Sequence, residues 1–336
     1  MPVLRQFHAV SCRLTDSSLV IPVNATIHNH YDIQLIDLSS NNLTSLCNEF
    51  FNQFYNLVEL RLTNNQIYAI DNYFLSALKS LKILDLALNS IEQMPKLVSS
   101  SLEYLNVSSN NLHNLTDYFA VDLQSIRSID FDSNRHFNSV SSQAFCSINL
   151  STLEKLSFRS TDLPSLNIFS DLLCRIDENK QTQETAIFDL NDNINLKCDC
   201  LLVQYEKYLI DYRHLTCTQE GQDRFFISTL TNSFSNCSWN LCYELKRYDF
   251  CSQTSNSYVS MTKDLCQEKI LEERNRTKFL SRTTTAMATT LLTTDKSKKN
   301  STLWIPWIRS STVKSTKTID FLWFFIGFLT FHGFYS

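Results

Sequence analysis

Residues 57 to 67 read LVELRLTNNQI, with apolar side chains at Leu57, Leu60, Leu62 and Ile67 and an asparagine, Asn65, in a fixed place among them. The same figure, L-x-x-L-x-L-x-x-N-x-L, returns as IQLIDLSSNNL from Ile33, LKILDLALNSI from Leu81 and LEYLNVSSNNL from Leu102. Its asparagines fall at Asn41, Asn65, Asn89 and Asn110. Weaker copies follow: IRSIDFDSNRH with Asn134, LEKLSFRSTDL with Thr161 in the asparagine's place, and TAIFDLNDNIN, which keeps Phe188, Leu190 and Asn193. Successive ladder positions lie 24, 24, 21, 24, 27 and 32 residues apart, and a period of that length marks a stacked solenoid.

In L-x-L the side chains alternate, so Leu60 and Leu62 are expected to point inward and Glu59, Arg61 and Thr63 outward. Each coil then gives one short strand, and because a single coil cannot bury its apolar side, the stack supplies the core. The asparagine amide can both donate to and accept from backbone groups that the turn after the strand leaves unpaired. Thr161 can do so only in part, so a looser sixth coil is expected. Phe50, Phe74, Phe119 and Phe145 on the return limb are expected to fill the outer core.

With these repeats the chain resembles the extracellular leucine-rich repeat family over about residues 10 to 240. The resemblance implies an α/β solenoid: a horseshoe with parallel strands on its concave face and a disulfide-bonded C-terminal cap. The cap is implied by LKCDCLLVQYEKYL, where Cys198 and Cys200 directly follow the last ladder asparagine, with Cys217 and Cys237 beyond. The family's pattern would pair Cys198 with Cys217 and Cys200 with Cys237, and LLVQYEKYLI has helix-like spacing for the lid over the open last coil. These cysteines lack the paired knuckles of a structural zinc site, and no metal is expected.

The chain has eleven cysteines, an odd number. Cys12 sits where the family's N-terminal cap would place its last cysteine, but the earlier ones are absent and no secretory signal precedes it. A truncated N-terminus is the expectation. Cys146 and Cys174 fall at nearly the same phase of adjacent coils and could bridge. Cys47 is expected to pack as a small buried hydrophobe, while Cys242, Cys251 and Cys266 cannot be paired from sequence.

Acceptor triplets for N-glycosylation occur at Asn24, Asn42, Asn106, Asn114, Asn149, Asn236, Asn275 and Asn300. Asn106 lies within a strand, a poorer acceptor context than a loop, and low occupancy is expected there. The domain plan is a cap remnant at 1–32, about seven repeats at 33–195, the cysteine-rich cap at 196–240, a Cys-containing extension at 241–275, a Thr/Ser-rich stalk at 276–318 and a hydrophobic tail at 319–336. Ser310 with its neighbours Ser311 and Thr312, a polar spacer and the apolar tail fit a glycosylphosphatidylinositol signal. A short transmembrane anchor is the alternative.

The net formal charge of −4 and the absence of a clustered basic face argue against nucleic acid. No phosphate loop, no G-x-S-x-G and no H-E-x-x-H occurs, the seven histidines are scattered, and neither an enzyme nor a cofactor is expected. Function therefore rests on the outward strand positions. The central column is Asp37, Arg61, Asp85, Asn106, Asp130, Ser157 and Asp189. The preceding one is Leu35, Glu59, Ile83, Tyr104, Ser128, Lys155 and Ile187; the following one is Ser39, Thr63, Ala87, Ser108, Asp132, Arg159 and Asn191. Leu35, Ile83, Tyr104 and Ile187 are apolar where the solenoid does not need it, and exposed apolar groups among charges suit a protein-binding surface. Arg61, Asp85, Tyr104, Asn106, Asp130, Asp132 and Arg159 are the candidate contacts. Asp in L-D-L-S is common in the family whatever the ligand, so Arg61 and Tyr104 lead the set.

In its order of parts the chain resembles lipid-anchored members such as the Nogo receptor and the variable lymphocyte receptors. The resemblance implies a recognition or adhesion protein on the extracellular face of the plasma membrane, binding a protein or glycan ligand and signalling, without an intracellular domain, through a membrane co-receptor. The alternative is a structural matrix or glycan-bearing spacer.

Overall fold

The computed structural model describes residues 5–19, 32–72, 74–117, 119–120, 123–146, 148–178, 186–218 and 224–226. Eight short strands pair in parallel and in chain order to form one sheet: Gln6–His8, Leu35–Asp37, Glu59–Arg61, Ile83–Asp85, Tyr104–Asn106, Ser128–Asp130, Lys155–Ser157 and Phe188–Asp189. Equal template positions stand opposite one another, so Ile36, Leu60, Leu84, Leu105, Ile129, Leu156 and Phe188 make one inward row. Every member of that row is buried. The chain folds as a leucine-rich repeat solenoid, as the template predicts.

The turn that ends each strand is closed by the ladder side chain. Asn110 is typical: its Nδ2 donates to the carbonyls of Val107 in its own coil and Leu86 in the coil before, each at 3.0 Å, and its Oδ1 accepts the Ile91 N–H at 3.0 Å. Asn65, Asn89 and Asn134 repeat these three bonds. Such a rung satisfies buried backbone groups that would each cost about 1 to 3 kcal/mol unpaired. Thr161 donates to Phe158 O at 2.9 Å but, among the described residues, makes no hydrogen bond to the preceding coil, so one rung is absent there between the coils of Asn134 and Thr161. Strand pairing and aromatic packing hold that junction instead.

A further coil lies upstream of the first template match. Phe7 pairs with Ile36, Ala9 and Leu14 are buried, and the N–H groups of Cys12 and Leu14 both donate to Asn41 Oδ1, at 2.9 and 3.0 Å. Cys12 thus holds the ladder position of this coil. The template missed it because Phe, Ala and Cys replace Leu, Leu and Asn. Cys12 is a free thiol. Asp16 clamps the segment to the next coil by accepting from the backbone and hydroxyl of Thr44, at 2.7 and 2.6 Å, and of Ser45, at 3.2 and 2.8 Å. Burial opposes its charge, yet these four bonds prevail and hold its pKa below the ordinary value.

Phe50, Phe74, Phe119 and Phe145 are all buried on the return limb as expected. The C-terminal half adds a run of rings: Phe131 stacks on Phe158 with centroids 4.8 Å apart, and Phe169 bridges Phe158 to Phe188. The longer late repeats accommodate the helix Ser170–Glu178 on that limb.

The lid anticipated after the last coil is the helix Cys200–Gln204 followed by a tighter turn, Glu206–Tyr208. Asp199 caps the helix by accepting the Leu202 N–H at 2.9 Å, and Leu201, Leu202, Tyr205 and Leu209 cover the end of the core. Cys198 and Cys217 are joined, with Cα atoms 5.0 Å apart; Cys237 lies outside the described residues. Cys146 and Cys174 are both disulfide-bonded. Cys47 is as well, which corrects its reading as a buried thiol: it is only half-buried, so its sulfur is not sealed in the core. Cys242, Cys251 and Cys266, the stalk, the tail and Ser310 lie outside the described residues. Among the described residues no helix is long and apolar enough to cross a membrane.

The residue before each ladder position has positive φ in every coil: Ser11, Ser40, Asn64, Leu88, Ser109, Ser133, Ser160 and Asp192. Seven are small or polar residues, and Asn and Asp tolerate the left-handed region best. Leu88 is the exception, at φ 55° and 53% exposed. Leu88→Asn is therefore expected to raise stability by about 1 kcal/mol, from relief of left-handed backbone strain. Thermal unfolding followed by circular dichroism tests this; an unchanged or lower midpoint would refute the strain.

Candidate functional site

The outward strand columns form the concave face in the register anticipated: Asp37, Arg61, Asp85, Asn106, Asp130, Ser157 and Asp189 stand in one row. Its acids have a local task first. Oδ1 of Asp37, Asp85, Asn106, Asp130 and Asp189 accepts the N–H two residues on, at Ser39, Ala87, Ser108, Asp132 and Asn191, at 2.8 to 3.4 Å. Leaving the strand exposes that N–H, and the short acidic or amide side chain returns to it. This is the physical basis of the recurring L-D-L-S.

Arg61 faces Asp37 and Asp85 in register. It donates from Nε to Glu59 at 2.6 Å and reaches Asp37 at 3.8 Å while 44% of its side chain stays exposed. Tyr104 stands between Ile83 and Ser128 at 42% exposure. Toward the C-terminal end, Arg159 donates its backbone N–H to Asp132 at 2.7 Å and its guanidinium to Asp192 at 3.0 Å. Arg159 also stands 4.0 Å from Asp189, and Lys155 reaches Asp189 at 3.5 Å. The candidate residues therefore share one face, with Arg61, Asp85, Asn106 and Asp130 contiguous across four strands.

Expectations about exposure are corrected at several positions. Ile187, read as an exposed apolar group, is buried because the cap lies over it: its N–H donates to Tyr208 O at 2.8 Å and Phe188 bridges to Leu209. Asp37, Ala87, Ser157 and Asp189, read as outward, are also buried. Lys155 and Arg159, on either side of Ser157 in the chain, both turn toward Asp189 directly across from it. The Ser157 hydroxyl has no hydrogen-bond partner.

The sequence reading missed a row of alternating charge at the start of the strands. Lys82 meets Glu103 at 2.7 Å, Glu103 meets Arg127 at 3.7 Å, and Arg127 meets Glu154. Its signal was present as K, E, R and E in the second template position. These exposed pairs contribute little stability, so their main effect is a patterned surface. Leu88 was missed too, since its exposure follows from turn geometry.

Of the acceptor asparagines, Asn42 is exposed, Asn106, Asn114 and Asn149 are half-buried, and Asn114 Oδ1 is buried without a partner. Asn24, Asn236, Asn275 and Asn300 lie outside the described residues.

The profile of the leucine-rich repeat matches residues 32–91, and together with the eight-stranded sheet and its asparagine ladder it defines the class of the molecule, a leucine-rich repeat solenoid. No curated protein matches the chain. Among solved structures, a leucine-rich repeat protein of Leptospira interrogans shares 20% identity over 56% of this chain and 50% of its own, with a TM-score of 0.42. This chain therefore spans about half of that protein's length. Human 5T4, also called Wnt-activated inhibitory factor 1 or trophoblast glycoprotein, shares 19% identity over 68% of this chain and 93% of its own, with a TM-score of 0.45.

Burial and the neighbouring Asp132 carboxylate raise the pKa of Asp130, against the Asp132 N–H bond and Lys155, which lower it. The folded protein therefore binds this proton more tightly than the unfolded chain, and the ionised form costs stability above the raised pKa. That cost vanishes below the ordinary value of 3.8. Asp130→Asn keeps the turn bond, as Asn106 does, and is expected to raise the unfolding midpoint at neutral pH, with the gain shrinking as pH falls. Denaturant melts across pH test this, and a gain that grew on acidification would reject it.

Proposed function

We propose that this protein is a cell-surface recognition receptor whose concave sheet binds an extracellular protein ligand. The observation that carries the reading is the presence of exposed apolar groups on a face otherwise rich in polar and charged residues. Tyr104 stands open at mid-sheet, and Leu88 is kept exposed in a backbone conformation that disfavours it. Strain held at an exposed position suggests a contact for which it is retained, and tyrosine and arginine are enriched among residues that dominate binding. Solenoids of this class present extended concave surfaces for binding, and leucine-rich repeat proteins typically serve as interaction scaffolds without catalysis.

An extracellular location agrees with the oxidised cysteines, since bridges persist in oxidising compartments: Cys198 with Cys217, and Cys47, Cys146 and Cys174 in disulfides as well. Membrane attachment through a lipid at Ser310 completes the proposal, with transmission through a membrane co-receptor. A glycan-bearing spacer remains the competing reading if Asn106, at the centre of the face, carries a sugar.

Phosphatidylinositol-specific phospholipase C is expected to release the protein from expressing cells, and glycopeptide mass spectrometry of the product to find Asn106 mostly bare. Retention beside an efficiently released control would reject the lipid anchor, and high occupancy at Asn106 would shift weight to the spacer. Residues 1 to 275, secreted with a supplied signal, are expected to bind source-organism cells saturably. An Arg61→Glu, Tyr104→Ala double variant should weaken binding roughly thirtyfold or more, two hot-spot contacts being removed. Undiminished binding by the variant would exclude this face.

A further inference from the structure

Where the sheet meets the cap, a cleft of about 530 Å³ opens between the last two strands and the segment after the lid helix. Asp189 and Asp192 stand on its repeat side with Arg159, and Asp211 and His214 on its cap side. Arg159 is engaged by Asp192 at 3.0 Å, and His214 by Asp211 at 2.7 Å. Asp192 and Asp211 nonetheless keep 61% and 54% of their side chains exposed, so two accessible carboxylates face the opening from opposite sides.

Ser157 is a second, independent sign. It pairs in register with Asp189 and precedes Arg159 by two residues, so its side chain projects to the same face as these two cleft residues. It is fully buried, and its hydroxyl has no partner. Buried polar groups in folded proteins are nearly always paired, and this orphan hydroxyl lies directly across from Asp189, which lines the cleft. The adjoining coil adds Asp130 and Asp132, and the pKa of Asp130 is raised by its burial first and by the neighbouring Asp132 carboxylate second.

We propose that this cleft receives a basic side chain, lysine or arginine, from the protein ligand. The proposal rests on the recognition reading and gives that ligand a chemical signature. Carboxylates outnumber cations around the opening, so an anionic group would be repelled. No Tyr, Trp or Phe lines the cleft to stack on a sugar ring. Among the described residues no group of His, Cys, Asp and Glu could hold a metal ion. An ammonium or guanidinium can instead meet Asp192 and Asp211 together and compete with Lys155 and Arg159 for Asp189.

Saturation-transfer NMR on the full-length protein in detergent tests this, with N-acetyl-arginine amide as probe and N-acetyl-glutamate as control. Transfer to the arginine side chain is expected, falling at least threefold in an Asp192→Asn, Asp211→Asn variant with an unchanged unfolding midpoint. No transfer, equal transfer in the variant, or preference for the glutamate probe would overturn the cleft assignment. The two readings separate cleanly. Arginine transfer lost in the variant, with no cell binding by the parent, keeps the cleft and removes the receptor role. Cell binding by the parent with no arginine transfer removes the cleft alone.

Discussion

An asparagine amide, buried or half-buried, at the end of six of the eight strands is the constraint on which the rest of the structure depends. It donates across the gap between coils as well as within its own turn, and it accepts from the coil behind, so each rung fixes two coils in one register. Strand pairing alone would leave the turns with buried, unpaired backbone groups, and a stack of such coils could slip. With the rungs made, Leu and Phe of equal template position fall into continuous inward rows, and burial at roughly 25 cal/mol per Å² of apolar surface then acts along the whole stack.

The variations in the ladder show what it tolerates. Cys12 cannot accept and donate as an amide does, yet its coil is held because Asn41 supplies the acceptor for the N–H groups of Cys12 and Leu14. Thr161 leaves its junction short of a rung, and there Phe131 and Phe158 stack face to face across the gap. Aromatic area and offset ring contact make up for a missing hydrogen bond. The end of the stack has no next coil, and the lid helix with its disulfide replaces one.

The concave face inherits its backbone from the ladder and its chemistry from the exceptions. Acids in the central row serve the turn below them, which lowers the case for Asp85 and Asp130 as ligand contacts. Residues without such a duty are more telling: Tyr104, the Arg61 guanidinium, and Leu88 at a position where every other coil places a residue better suited to the left-handed turn. Charge is arranged in two ways, as an alternating row at the strand starts and as an acidic surplus beside the cap.

The sequence by itself determined the repeat, the direction in which Leu60 and Leu62 point and the ladder asparagines from Asn41 to Asn193, because these follow from period and from the chemistry of single side chains; the bridge from Cys198 to Cys217 was implied only by the family resemblance. It did not reveal the coil at Cys12, since a template reads residue types while the coil is defined by where its N–H groups go. Nor could it tell that Ile187 is covered or Ser157 sealed, because both depend on the cap and on Lys155 and Arg159 converging on Asp189. Exposure on a sheet is set by what folds back over it. Only the tertiary structure decided which outward residues remain open, and so where a ligand can reach.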